Sequence, residues 1–186
     1  VGTFNGVRVH AKSVGKGAEI ASTWGVPTMF VLARGVTYSA LFIGLLLIFL
    51  PDRILVSTGI MPPAAIGAWQ VAGILLGASG AALAFTGILT FVFIGQGTPA
   101  PFDPPRRLVV QGPYRFIRNP MYVGAGLALA GAALFYQSIP LLVYAGSFLA
   151  VTHLFVVLYE EPTLRRSFAK DYEAYCRQVG GWWAKP

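Results

Sequence analysis

Apolar residues fall along this chain in long blocks, not in the alternation of half-buried strands or the one-sided stripes of soluble helices. Residues 27–50 are apolar apart from Arg34, and the stretch from Val36 to Leu50 carries no charge. Residues 64–94 are uncharged throughout and open behind Met61-Pro62-Pro63, a helix-start signal. Two further runs, 119–136 and 140–159, are joined by Gln137-Ser138-Ile139, with Pro140 suited to a first helical position. A helix needs about 20 apolar residues to cross a hydrocarbon core about 30 Å thick. The blocks therefore predict an all-α membrane protein of about four transmembrane helices, the last two forming a C-terminal helical hairpin. The first span works if Arg34 snorkels to the interface, and the second is long enough to tilt or kink. The third is short, which leaves a re-entrant hairpin as the alternative to two full crossings. After the hairpin, a cytosolic amphipathic helix is expected over about 163–179, because Phe168, Tyr172, Tyr175 and Val179 recur at helical spacing among charges. Trp182 and Trp183 suit an interfacial belt. Residues 1–26 read as a polar N-terminal segment with no apolar h-region, so no cleavable signal peptide is expected there. Residues 27–186 read as a single domain.

Composition narrows the class. The 186 residues are 55% hydrophobic and only 11% charged, and the mean hydropathy is +0.64, which excludes both a mainly soluble fold and intrinsic disorder. One cysteine, Cys176, allows no intramolecular disulfide, and no Cys/His cluster supports a metal site. The net charge of +7 has a topological explanation. With four spans, every Lys and Arg except Arg53 falls on the side of the two termini and the loop between the second and third spans. Both termini are therefore expected in the cytoplasm, and the basic excess requires no nucleic-acid partner. Gly73 and Gly77 form a G-x-x-x-G pair in the second span, expected to serve helix packing within one subunit.

The scarce polar residues gather in two places. Residues 96–107 hold five prolines or glycines in Gln96-Gly97-Thr98-Pro99-Ala100-Pro101-Phe102-Asp103-Pro104-Pro105, a stiff loop against the membrane surface. It leads to Gln111-Gly112-Pro113-Tyr114-Arg115-Phe116-Ile117-Arg118-Asn119-Pro120-Met121-Tyr122, where Gly112-Pro113 signals a turn, Asn119 is a helix N-cap candidate and Pro120 a natural first helical residue. Unpaired N–H groups at that helix start, beside Arg115 and Arg118, would attract a carboxylate or phosphate; the plainer reading is an interfacial anchor. The second place is Glu160-Glu161-Pro162, where carboxylates at a helix C-terminus oppose the macrodipole and need compensation from Arg115, Arg118, Arg165, Arg166 or a cation. His153, seven residues before Glu160, shares its helical face and is either an inter-helix hydrogen-bond partner or a cavity residue.

In this order, the Gly112 to Gly124 stretch, Tyr159-Glu160-Glu161-Pro162 and then Phe168, Tyr172 and Tyr175 resemble the isoprenylcysteine carboxyl methyltransferase family and its phospholipid methyltransferase relatives. The resemblance implies an integral-membrane enzyme that uses S-adenosylmethionine, yields S-adenosylhomocysteine, and methylates a lipophilic acceptor, prenylated or lipid, drawn from the bilayer. Isoprenylcysteine carboxyl O-methylation is the closest activity, with phospholipid or other small-molecule N-, O- or S-methylation as the alternative. Carried over, it makes Arg118, Glu160 and Glu161 catalytic candidates. The cofactor would be held by Gln111, Gly112, Tyr114, Arg118, Asn119, Pro120, Tyr122, Glu160 and Glu161, and the substrate would meet His153 and Tyr159. No metal is implied. Where the family commonly has Arg-His-Pro, this chain has Arg118-Asn119-Pro120, and an asparagine cannot titrate or act as a base. Two other classes remain: a nicotinamide-linked protein like the membrane sterol reductases, and a non-catalytic helical scaffold latched by Glu160 and Glu161.

Overall fold

The computed structural model describes residues 3–4, 7–8, 37–38, 40–95 and 107–184. Arg34, the start of the first apolar block and the proline-rich loop at 96–106 lie outside the described residues. Strands β1 (Thr3–Phe4) and β2 (Val7–Arg8) form a two-residue antiparallel ladder; the longer elements are all helices. Three of these are long and apolar enough to cross a membrane: α1 (Ala40–Ser57), α2 (Ala68–Gly95), and a continuous helical run over Ile139–Gln178. Between them lies α3 (Pro120–Tyr136), shorter but equally apolar. The long run divides into α4 (Ile139–Phe155), a wide π turn at Val156–Glu160, and α5 (Glu161–Gln178). The protein is therefore an all-helical integral membrane protein, with large apolar side chains exposed along α1, α2 and α4 where lipid would cover them.

Helix α1 differs from its sequence reading, since it continues through Pro51 to Ser57 where a loop was expected after Leu50. The turns before Pro51 are π turns, with Leu50 N–H bonded to Leu45 O. In that register the carbonyl left without a donor by the missing proline N–H is that of Leu46. The Tyr144 hydroxyl of α4 donates to it at 2.8 Å. A neighbouring helix thus supplies the bond that proline removes.

Helices α2 and α3 are held by their smallest residues. A Cβ on Gly80 would lie 2.6 Å from Ala128 N and 2.7 Å from Gly124 O, and one on Gly73 would lie 2.7 Å from Gly131 O. Only glycine permits backbones this close at Gly73 and Gly80. Gly77 has ordinary room for a Cβ but offers its backbone to Gly131, where a Cβ would collide with Gly77 N, so the Gly73/Gly77 pair serves packing within the chain. Polar atoms in this region are satisfied locally. Ser79, Thr86 and Thr90 hydroxyls return to carbonyls one turn back. At the far end of α2, Gly67 N donates to Gln70 Oε1, and Gln70 Nε2 donates to Phe135 O, tying the start of α2 to the end of α3. The α3–α4 hairpin turns on Gln137, which adopts left-handed geometry (φ 51°), and Ser138, whose Oγ accepts from Leu141 N to cap α4.

Helix α5 does not face lipid with its aromatic side. Tyr172, Tyr175 and Val179 are buried against Leu108 and Val110, in the approach to α3. Ala169 interrupts the helix with non-helical angles (φ 41°, ψ −116°).

Candidate functional site

The polar residues converge where the approach to α3, the α4–α5 junction and the C-terminal segment meet. Gly112 opens a 3-10 turn (Gly112–Arg115) with φ +59°, and a Cβ there would sit 2.9 Å from Thr90 Oγ1, so both conformation and space require glycine. The turn drives Tyr114 inward, against Phe91 and Val109. Its carbonyl accepts a 2.7 Å bond from Tyr175 Oη. Three residues past the turn, Arg118 points into the same pocket. Its Nη1 lies 2.9 Å from Glu161 Oε1, 3.2 Å from Tyr172 Oη and 2.8 Å from Cys176 Sγ. Of the four arginines considered as compensation for the paired carboxylates, Arg118 forms an ion pair with Glu161.

Glu160 is neutralised differently. Tyr122 Oη donates to its Oε2 at 3.2 Å. The carboxyl sits just past the apolar run, and burial pushes its pKa up to about 7; the Tyr122 bond pulls the other way, and Glu161 adds to the rise. Burial also raises the Tyr114 phenol well above its ordinary value, with Glu160 next in effect, so Tyr114 is a neutral donor. Two buried side-chain atoms here have no hydrogen-bond partner among the described residues: Tyr114 Oη and Arg118 Nε. Both residues line a narrow pocket of about 30 Å³, together with Asn119, Glu160, Glu161 and Tyr172. Buried donors without partners are rare in a finished structure and point to a missing acceptor.

The other candidates are distributed unevenly. Gln111 is exposed and contributes its carbonyl to Tyr114 N. Pro120 is fully buried at the first position of α3 and packs near Gly87. Asn119 occupies the N-cap position but makes no cap bond; its Nδ2 donates instead to Gly181 O at 3.1 Å. His153 is exposed and meets the Trp182 ring edge-on at 5.4 Å. Tyr159 is exposed and stacks on Phe155. Among the described residues no group of His, Cys, Asp and Glu could hold a metal ion.

Sequence reasoning missed Tyr172, Cys176 and Trp182 as site residues. The helical spacing of Tyr172 points to an amphipathic helix lying on or folding back over the membrane face, and only its burial against Leu108 and Val110 brings it to Arg118. Trp182 was assigned to an interfacial belt, yet it stacks on Tyr122 with centroids 6.5 Å apart.

Beside this polar end lies a second space, a half-open apolar cavity of about 860 Å³ lined by α1, α2, α3 and α4. Leu46, Phe85, Ala128, Phe148 and Phe155 are among its walls, and Tyr122 is its link to Glu160. His153 and Tyr159 do not line it. Residues 68–171, from the start of α2 into α5, match the family model described as phospholipid methyltransferase. The chain belongs to the phospholipid methyltransferase family. No match emerges among curated proteins or among solved structures. This is a family of integral-membrane methyltransferases related to the isoprenylcysteine enzymes, so the protein is a membrane methyltransferase. The matched region of this phospholipid methyltransferase family member contains Tyr114, Arg118, Tyr122, Glu160 and Glu161; Tyr172, Cys176 and Trp182 lie just past its end.

Proposed function

We propose that the protein transfers a methyl group from S-adenosylmethionine to a lipophilic acceptor that enters from the bilayer. The observation that carries this reading is the junction at Tyr122, which lines the apolar cavity on one side and bonds Glu160 of the polar pocket on the other. The donor set fits the cofactor's polar groups. Arg118, with its unpartnered Nε, suits a carboxylate; Glu160 and Glu161 suit an ammonium and ribose hydroxyls; Tyr114 Oη offers a hydroxyl donor beside them. The fit is one of chemistry, since the pocket has room for about one water, and a nucleoside-sized ligand requires α5 and the approach to α3 to separate.

When bound, S-adenosylmethionine supplies a methyl carbon activated by a sulfonium, so orientation matters more than a strong acid or base. Arg118, Glu160 and Glu161 fix the polar end, and the apolar walls of α1–α4 hold the acceptor chain and keep water out. A carboxylate acceptor, as in prenylcysteine methylation, reacts without losing a proton. An amine acceptor must release one, and Glu160, bonded to the cavity-lining Tyr122, is the candidate to receive it. In our reading α3 is a full crossing, both termini are cytoplasmic and residues 27–186 are one catalytic domain, so that the polar pocket would face the side from which a water-soluble cofactor arrives.

Calorimetry on detergent-purified protein tests the reading. S-adenosylmethionine and S-adenosylhomocysteine should bind with micromolar affinity, and Arg118→Ala and Glu160→Ala should each weaken binding on the order of 100-fold, the loss of one charge-assisted bond. Binding of NADPH in place of both would favour a reductase-like protein. Folded protein that binds none of the three would be a scaffold.

A further inference from the structure

Past α5 the chain does not leave for solvent. Val179 is buried, and the next two residues are strapped along the start of α3: Arg118 N donates to Gly180 O at 2.9 Å, and Asn119 N and Nδ2 donate to Gly181 O at 3.2 and 3.1 Å. A Cβ on Gly181 would lie 3.1 Å from Arg118 Nη2, so glycine lets the strap lie directly on the guanidinium. The Asn119 side chain, which departs from the family's histidine, here anchors the tail. The strap delivers Trp182 onto two rings from different helices. It stacks on Tyr122 of α3 (6.5 Å, planes 29° apart) and meets His153 of α4 edge-on (5.4 Å, 63°). Trp182 lines neither the apolar cavity nor the polar pocket. Its ring reaches the site by way of Tyr122, while the strap that carries it touches Arg118 and Asn119.

We propose that Trp182 is a positioning residue for methyl transfer: its indole fixes the Tyr122 ring so that the hydroxyl stays bonded to Glu160 where cavity and pocket meet. This inference rests on the methyltransferase reading above. Offset ring pairs of this kind contribute beyond simple burial, and a tyrosine that lines an open cavity lacks close packing on that side. The strap supplies the packing from the other. The residues responsible, 180–182, lie outside the stretch that carries the family likeness.

The test reads the Tyr122–Glu160 bond through S-adenosylhomocysteine affinity measured against pH. Glu160 is faced by Tyr122 from α3, Tyr114 from the approach to α3, and Glu161 from its own helix; of these, the Tyr122 hydrogen bond holds its titration down. Tyr122→Phe should therefore move the midpoint of the affinity profile up by about 0.5–1 pH unit. Trp182→Ala should move it up by the same amount, Trp182→Phe should leave it in place, and the double variant should move no further than Tyr122→Phe alone. Trp182→Leu, which fills space without stacking, is carried in parallel against poor folding of the alanine variant and should behave as alanine does. A midpoint unchanged in Trp182→Ala and Trp182→Leu but shifted in Tyr122→Phe overturns the proposal, as does an additive double variant. Failure of the parent protein to bind S-adenosylhomocysteine would instead overturn the methyltransferase reading, and this inference with it.

Discussion

The half-open apolar cavity among α1–α4 measures about 860 Å³, whereas the polar pocket under α5 holds about 30 Å³. Their walls are built on opposite terms. Apart from Tyr122, which bonds Glu160, the hydroxyls around the cavity turn back onto their own helix, as Ser147 and Thr152 do, or onto a backbone carbonyl, as Tyr144 does, so the space can stay open without leaving a polar group stranded. The pocket is crowded because its charged groups found one another. Arg118 is shared among Glu161, Tyr172 and Cys176, and among the described residues two buried side-chain atoms, Tyr114 Oη and Arg118 Nε, lack a partner. An apolar guest can enter the first space by displacing lipid. A polar guest must exchange contacts in the second, which makes specificity there a matter of replacing bonds one for one.

Four changes test this division. Gly80→Leu should destroy both spaces at once, because even its Cβ meets Ala128 N and Gly124 O; a loss of about 3 kcal/mol or more is expected, seen as aggregation on size exclusion and an early helical melt. The second change is pH, which should drive the ligand-free protein and its complex in opposite directions. Glu160 has a raised pKa in the folded state, so its contribution to stability is fully present below 4.5 and is lost as pH rises to about 7. Affinity for an ammonium-bearing ligand should grow over the same window as the carboxylate forms. Thermal melts and S-adenosylhomocysteine calorimetry at pH 5 and pH 8 would show both trends, and Glu160→Gln should flatten them. Ala81→Trp should act on the wide space alone, raising the KM of a lipophilic acceptor roughly tenfold with cofactor affinity unchanged. The smallest effect belongs to Tyr144→Phe. Loss of its bond to Leu46 O should lower stability by about 0.5–1 kcal/mol, measurable as a small drop in melting temperature in detergent.

Much of this organisation was legible before any coordinates. Uninterrupted apolar blocks translate directly into α2, α3 and α4, because lipid imposes one simple rule on composition. Contrary to expectation, Glu160 and Glu161 do not sit at a helix C-terminus against the macrodipole, because the helical run continues past both and Glu161 opens α5; the two carboxylates are nonetheless partnered, by Tyr122 and Arg118. What was not legible depended on contacts between distant segments. Nothing local to Pro51 shows that Tyr144, far along the chain, will take over the orphaned carbonyl and let the helix continue. Asn119 looked like a helix cap because its neighbours do, yet its amide is claimed by Gly181. Tyr172 and Trp182 carried the composition of interfacial residues, and only the return of the C-terminal segment over Arg118 turns them inward. Local pattern reports the solvent a segment prefers, and the meeting of the two ends of the site is decided by the fold.

Cys176 is the chain's single cysteine, and its sulfur lies 2.8 Å from Arg118 Nη1. A thiol-reactive dye therefore has one address in the entire molecule, at the arginine of the polar pocket. The purified protein carries its own occupancy gauge: the rate at which a maleimide consumes that sulfur should slow when a ligand claims Arg118, with no reporter engineered in and no acceptor identified.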